Sequence, residues 1–133
     1  MQTKTDRQWL DAYLLAKPAA TGDFKIEWGW DRYMVGGKMF AALCAPGPEH
    51  APEYAGHPLL TLKCDPQNGE FMRAQYPDIL PGFYSDKRNW ISIRLDGAVP
   101  DAVLRPLCDE AYALIFAKLT KKMQRELTGN AAT

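Results

Sequence analysis

Gly36-Gly37, set between Tyr33-Met34-Val35 and Lys38-Met39-Phe40, constrains this chain more than any other feature. Two consecutive glycines supply the positive φ angles that a tight primed turn requires, and apolar residues on both sides make that turn a β-hairpin. A hairpin pairs its strands antiparallel, so any sheet grown around it starts antiparallel.

The rest of the chain is read outward from that hairpin. A helix is predicted from about Thr5 to Lys17, with Trp9, Leu10, Tyr13 and Leu14 as its apolar stripe, Thr5 or Thr3 as its cap and Pro18 as its stop. Phe24, Ile26, Trp28 and Trp30 alternate with Lys25, Glu27 and Gly29, which predicts a strand. Residues 45–57 hold Pro46, Pro48 and Pro52 with Gly47 and Gly56, and read as a loop. Leu59 to Cys64 is a strand with Leu60, Leu62 and Cys64 on one face. Asp65-Pro66 then opens a helix, Asp65 capping it and Phe71, Met72 and Tyr76 forming its buried side before Pro77.

Pro81-Gly82 reads as a turn, and Trp90 to Leu95 as a strand with Ile91, Ile93 and Leu95 inward. After Asp96-Gly97 a long final helix runs through Val103, Leu107, Ala111 and Ile115 to Leu119. Pro106 costs a helix interior on the order of 3 kcal/mol, so the regular helix is expected to begin near it, with Pro100 to Arg105 as a leading turn. The basic residues near the end of this helix suit its negative pole. Strands with helices at both ends and between them, without strict alternation, predict an α+β fold. The expected form is an antiparallel β-sheet with helices packed on one face and the other face partly open.

A chain of 133 residues reads as one domain, 1–133. It buries roughly two-thirds of its unfolded surface without a metal or disulfide staple. Its 24% of charged residues against 47% apolar ones excludes a disordered chain. No apolar run approaches the roughly 20 residues of a membrane span, and Met1 to Arg7 lacks the pattern of a signal peptide. A cytoplasmic protein with no membrane contact is expected. Cys44, Cys64 and Cys108 are odd in number, widely spaced and without C-x-x-C, which fits reduced, buried thiols. With only His50 and His57 beside them, no metal and no cofactor is expected.

Recognised chemistry is sparse. Gly36-Gly37-Lys38 resembles part of a phosphate-binding loop, but that motif needs Gly at Arg32 and Ser or Thr at Met39. Ser85 and Ser92 lie in no nucleophile motif, and Asp109 and Glu110 are helix neighbours that point apart. No catalytic residue is assigned. Sixteen basic and sixteen acidic residues cancel, which argues mildly against a dedicated nucleic-acid binder. The basic residues are clustered, however, as Lys87, Arg88 and Arg94 and as Lys118, Lys121, Lys122 and Arg125 in a basic C-terminal tail. Period-2 alternation places Lys38 and Phe40 outward if Met39 and Leu43 face the helices. By the same rule Thr61, Lys63, Trp90, Ser92 and Arg94 face outward. Cations interleaved with rings on one surface hold phosphates and stack bases.

A set of stretches carries a resemblance: Tyr33 to Ala41, Leu60 to Asp65, Tyr76-Pro77, Pro81-Gly82, Lys87-Arg88-Asn89-Trp90, Leu95-Asp96-Gly97, Pro100-Asp101 and Tyr112. In their joint order and spacing, over roughly residues 5–122, they resemble the MmcQ/YjbR family of small bacterial proteins. The resemblance implies a sheet fold likened to frataxin and to the double-wing DNA-binding domain of a phage transcription activator. It also implies a DNA-binding role that rests on that fold likeness. Relatives often carry histidines around the tryptophan motif, where Tyr84 and Asn89 stand here. The frataxin analogy does not extend to iron, because the first helix mixes Asp6 and Asp11 with Lys4, Arg7 and Lys17.

The expected function is a non-enzymatic binding module that contacts nucleic acid, DNA in the first instance, through Lys38, Lys63, Lys87, Arg88, Trp90 and Arg94 on the open sheet face. The alternative is a protein-interaction module using Trp28, Trp30 and the 45–57 loop, since exposed aromatics anchor protein interfaces.

Overall fold

The two glycines form the turn the sequence predicts. In the computed structural model of the chain, which describes residues 8–129, Gly36 has φ +58° and Gly37 φ +79°. They join β2 (Trp30–Val35) to β3 (Lys38–Cys44). β1 (Thr21–Lys25), β4 (Leu59–Lys63), β5 (Ile79–Pro81) and β6 (Trp90–Arg94) complete a sheet of order β1-β2-β3-β4-β6-β5, every neighbouring pair antiparallel. Among the described residues, four helices accompany it: α1 (Trp9–Leu15), α2 (Pro66–Gln75), α3 (Asp101–Phe116) and α4 (Lys121–Thr128). This is the expected α+β fold. The predicted caps Thr3 and Thr5 lie outside the described residues.

Local chemistry sets several boundaries. Asp65 accepts the N–H groups of Gln67 and Asn68 at 3.1 and 3.2 Å, with Pro66 as the first helical residue of α2. α3 begins at Asp101, five residues before Pro106, not near the proline as expected. The imino nitrogen of Pro106 forfeits one helical hydrogen bond, but Leu104, Leu107 and Cys108 around it are buried in the core. Their burial outweighs the loss. The expected long final helix is two helices. Thr120 caps α4 by accepting the Met123 N–H at 3.1 Å. The Gln124 side chain donates to the carbonyls of Phe116 and Leu119 at 3.1 and 3.0 Å. Lys121 and Lys122 therefore stand at the positive pole of α4 rather than at a negative one, and the expected basic tail is a helix as far as Thr128.

Two apolar stretches depart from the expected geometry. The alternation from Phe24 to Trp30 is not one strand. Lys25 pairs with Trp30 across a turn at 26–29, closed by the N–H groups of Trp28 and Gly29 on the Lys25 carbonyl, with Gly29 at φ +71°. Edge position and turn leave Phe24, Ile26 and Trp28 exposed. Phe71, expected on the buried side of α2, is 58% exposed. Met72 and Tyr76 do pack on the core, beside buried Gly69. Pro81 closes the short edge strand β5, where a proline lacking an N–H is tolerated.

The main core lies between one face of the sheet and the helices: Leu10 and Leu14 of α1 and Leu104, Leu107, Ala111 and Ile115 of α3 meet Val35, Phe40, Leu60, Leu62, Ile91 and Ile93. A second cluster, Trp30, Ala42, Tyr54, Leu59 and Phe83, includes Ala42 and Leu59, each next in sequence to a main-core residue. Successive strand residues point to opposite faces, so the second cluster lies on the side expected to be open. Tyr54 of the 45–57 loop and Phe83 of the β5–β6 connection roof it. All five residues of β4 are buried.

Candidate functional site

A β-bulge decides which side chains reach the second face. Tyr33 pairs with Ala41 but Met34 pairs with Met39, so Phe40 is the extra residue on β3. The bulge turns Phe40 onto the helix side, fully buried and edge-on to Tyr112 at 5.4 Å between centroids. Met39 turns onto the second cluster. The expectation for this pair is thus reversed, while Leu43 packs on the helix side as expected.

The six expected nucleic-acid contacts do not form one exposed surface. Five come to one end of the sheet: Lys63 is opposite Trp90, Lys87 and Arg88 lead into that tryptophan, and Lys38 opens β3 where β4 ends. Arg94 lies opposite Leu59 at the other end of β4. Lys63 is only 9% exposed, contrary to expectation. Burial and the charge of nearby Lys118 hold its ammonium below the usual lysine range. Thr61 and Ser92, also expected outward, are buried and share a 2.7 Å hydrogen bond, and the Ser92 hydroxyl accepts the Phe83 N–H at 2.8 Å.

The others mostly close the fold. Arg94 donates to the Asp78 carboxylate at 2.8 Å and to the carbonyls of Glu53 and Pro77 at 3.2 and 3.1 Å. Asp78 also accepts the Ala98 N–H at 3.0 Å, and these bonds hold its carboxyl below the usual range. A Cβ on Gly97 would stand 2.2 Å from the Asp78 carboxyl carbon, so the Leu95-Asp96-Gly97 stretch needs its glycine for space. Lys87 donates to the Gly82 carbonyl at 2.6 Å. A Cβ on Gly82 would meet that of Trp90 at 2.7 Å. Trp90 is half-buried, and Lys38, Lys87 and Arg88 are the exposed members of the set.

The roof does not fill the second face. Between the β1–β2 turn, the 45–57 loop and residues 83–85 lies a cleft of about 660 Å³, within the size range of ligand sites. Trp28 and Trp30 form one wall, edge to face with centroids 5.2 Å apart. Phe83 and Tyr84 form another, stacked at 4.6 Å and 16°. The His50 ring stands edge-on to both of these, at 5.0 and 5.4 Å, with Nε2 3.2 Å from a Glu49 carboxylate oxygen. Tyr84 adopts φ +51°, a left-handed conformation that costs an ordinary residue about 1–2 kcal/mol, and yet the residue is 73% exposed. Backbone strain that presents a ring to solvent is characteristic of binding sites.

Trp28, Trp30 and the 45–57 loop, named in the alternative reading, are all at this cleft. Phe83, Tyr84 and Glu27 lie outside that reading, while His50 and Glu49 belong to the loop it named. The Phe83-Tyr84 pair after Pro81-Gly82 is the sequence signal that was available. The cleft also holds Cys44 and Ser85. Burial pushes the Cys44 thiol up to about 12, which keeps it protonated and unreactive at neutral pH, and the Ser85 hydroxyl donates to the Phe83 carbonyl at 2.9 Å. Cys44, Cys64 and Cys108 are free thiols. No helix among the described residues is long and apolar enough to cross a membrane.

Comparison with known proteins agrees with the fold. The YjbR family model matches residues 15–114. An uncharacterised Escherichia coli O157:H7 protein, YbdF, is 31% identical over 98 residues, 74% of each chain. The uncharacterised YjbR of Escherichia coli K12 is 29% identical over 100 residues, 75% of this chain and 78% of its own. Among solved structures, the Deinococcus radiodurans protein DR2400 superposes with a TM-score of 0.76 at 28% identity, over 91% of this chain and 86% of its own. A Pseudomonas syringae protein gives 0.70 at 21% identity, over 81% and 97%.

Proposed function

The chain belongs to the YjbR family, and within it we propose that this protein is a non-enzymatic binding module that takes an anchor side chain of a protein partner into the cleft between Trp28-Trp30 and Phe83-Tyr84. One observation carries the reading: four aromatic rings from two separate segments converge on an unfilled cleft, on the sheet face where helices do not pack. Large rigid rings give contact area at low entropic cost, which makes them frequent anchors of protein interfaces. The non-enzymatic part rests on the protonated thiol and committed hydroxyl at the same cleft.

A second reading keeps the nucleic-acid role but moves it from the sheet face to the sheet end. The observation in its favour is that Lys118 approaches Lys63 there, while Gly36 of the β2–β3 turn lies against Leu119. Exposed Lys38 and Arg88 therefore share that end with the approach to α4 and its Lys121 and Lys122.

The two are separated by probing a random-peptide array and by titrating labelled single- and double-stranded DNA at low and moderate salt. The protein-partner reading expects a convergent peptide motif bound by wild type and lost in Trp28→Ala, with weak salt dependence. DNA binding that falls steeply with salt and is lost in Lys38→Glu with Arg88→Glu, without any peptide motif, would replace it by the second reading.

A further inference from the structure

We infer that the anchor this cleft accepts is a cation, the ammonium or guanidinium end of a lysine or arginine side chain of the partner; the inference rests on the proposed protein-binding role. Trp28, Trp30, Phe83 and Tyr84 present π-faces and edges around the cleft, and a π-face attracts a cation through the ring quadrupole. Among the described residues lining it, the only formally charged side chains are Glu27 and Glu49, and both are negative. A carboxylate occupant would meet that field unfavourably, and a neutral aliphatic one would leave it unused.

The Trp28 ring already attracts two of the molecule's own cations. Lys25 Nζ stands 5.4 Å from the centre of the Trp28 ring and the Arg32 guanidinium 5.6 Å from it, although neither residue lines the cleft. The Lys25 ammonium reaches Glu27 only at 3.9 Å, in an exposed pair, which leaves that carboxylate's field largely available. Glu49 is opposed by His50, which carries charge only when protonated. The strained backbone of Tyr84 holds its ring stacked on Phe83 and edge-on to His50 while leaving the residue largely exposed.

The test uses five-residue glycine peptides with one central residue: lysine, Nε-trimethyl-lysine, the neutral isostere of trimethyl-lysine in which carbon replaces the ammonium nitrogen, or glutamate. Binding to the full chain is read at the indole N–H resonances of Trp28 and Trp30. Both cationic peptides are expected to bind, the neutral isostere about tenfold more weakly than its trimethyl counterpart, and the glutamate peptide not at all. Glu49→Gln is expected to weaken the cationic peptides severalfold. Tyr84→Gly is expected to weaken them while leaving the melting temperature unchanged or raised, since glycine relieves the positive φ; a purely structural role for Tyr84 would lower it. Equal binding of the neutral isostere would overturn the inference and leave an apolar cleft. So would failure of both cationic peptides. A convergent array motif without a basic anchor would sink the cation while sparing the protein-binding role, whereas no motif at all would sink both.

Discussion

At the scale of single residues, Gly36 and Gly37 look interchangeable in sequence and are not in the fold. Both have positive φ, and alanine in that region costs about 1–2 kcal/mol. A Cβ on Gly37 meets nothing within 4 Å, whereas one on Gly36 falls 2.8 Å from a methyl of Leu119, itself buried in the core. Gly36→Ala is therefore expected to destabilise by the conformational cost plus about 1–3 kcal/mol of overpacking, and Gly37→Ala by the conformational cost alone. Urea unfolding of the two variants measures the difference, and equal midpoints would refute the contact. The need for glycine was legible in sequence because it follows from local turn chemistry. The reason Gly36 is the stricter position was not, since Leu119 is more than eighty residues away in the chain.

At the scale of elements, α4 carries a charge arrangement that works against it. Lys121 and Lys122 occupy its first turn, near the unpaired N–H groups and the positive end of the helix dipole. Replacing both, as Lys121→Glu with Lys122→Glu, is expected to raise stability by about 0.3–1 kcal/mol per residue at low ionic strength, the gain shrinking with added salt. Thermal unfolding at two salt concentrations decides it. A loss of stability would mean that these lysines hold partners in the fold, and loss of low-salt DNA binding in the same variant would favour the second functional reading. Sequence periodicity carried the apolar stripe straight from α3 to Leu119, because the Thr120 cap looks like any helical threonine until the chain turns there. The strand stretch at 24–30 failed for a related reason: alternation does not distinguish a strand from a strand followed by a turn with one glycine at positive φ.

At the scale of the whole molecule, the Asp78–Arg94 pair ties together β5, β6, the 45–57 loop and the turn after β6. The Asp78 carboxyl is held below its ordinary pKa by the Ala98 N–H and by Arg94. A depressed folded-state pKa means that the unfolded chain takes up the proton first. This contribution to stability is thus complete above about pH 4, the unfolded aspartate value, and is lost as pH falls through the lower folded value. Asp78→Asn is expected to lower stability at pH 7 by about 1–3 kcal/mol and to flatten its decline below pH 4, as followed by urea unfolding across pH. An unchanged acid limb would place the acid sensitivity elsewhere. Lys63 is nearly buried and Arg94 closes three segments, so reversing the charge of either is expected to cost stability before it affects any ligand.

Sequence alone determined the antiparallel hairpin, the helix-covered face, the Asp65 cap and the family resemblance, because each follows from local turn chemistry, side-chain periodicity or motifs in fixed order. Tertiary structure alone decided what happens on the other face. A bulge at Phe40 breaks the period-2 rule on which the outward assignments relied. Two loops distant in sequence then roof the sheet with Tyr54 and Phe83 and leave an aromatic cleft beside them, while Lys63 on the same sheet is nearly buried. Alternation predicts which way a side chain points from its strand, but only the packing of distant segments decides whether it finds water there.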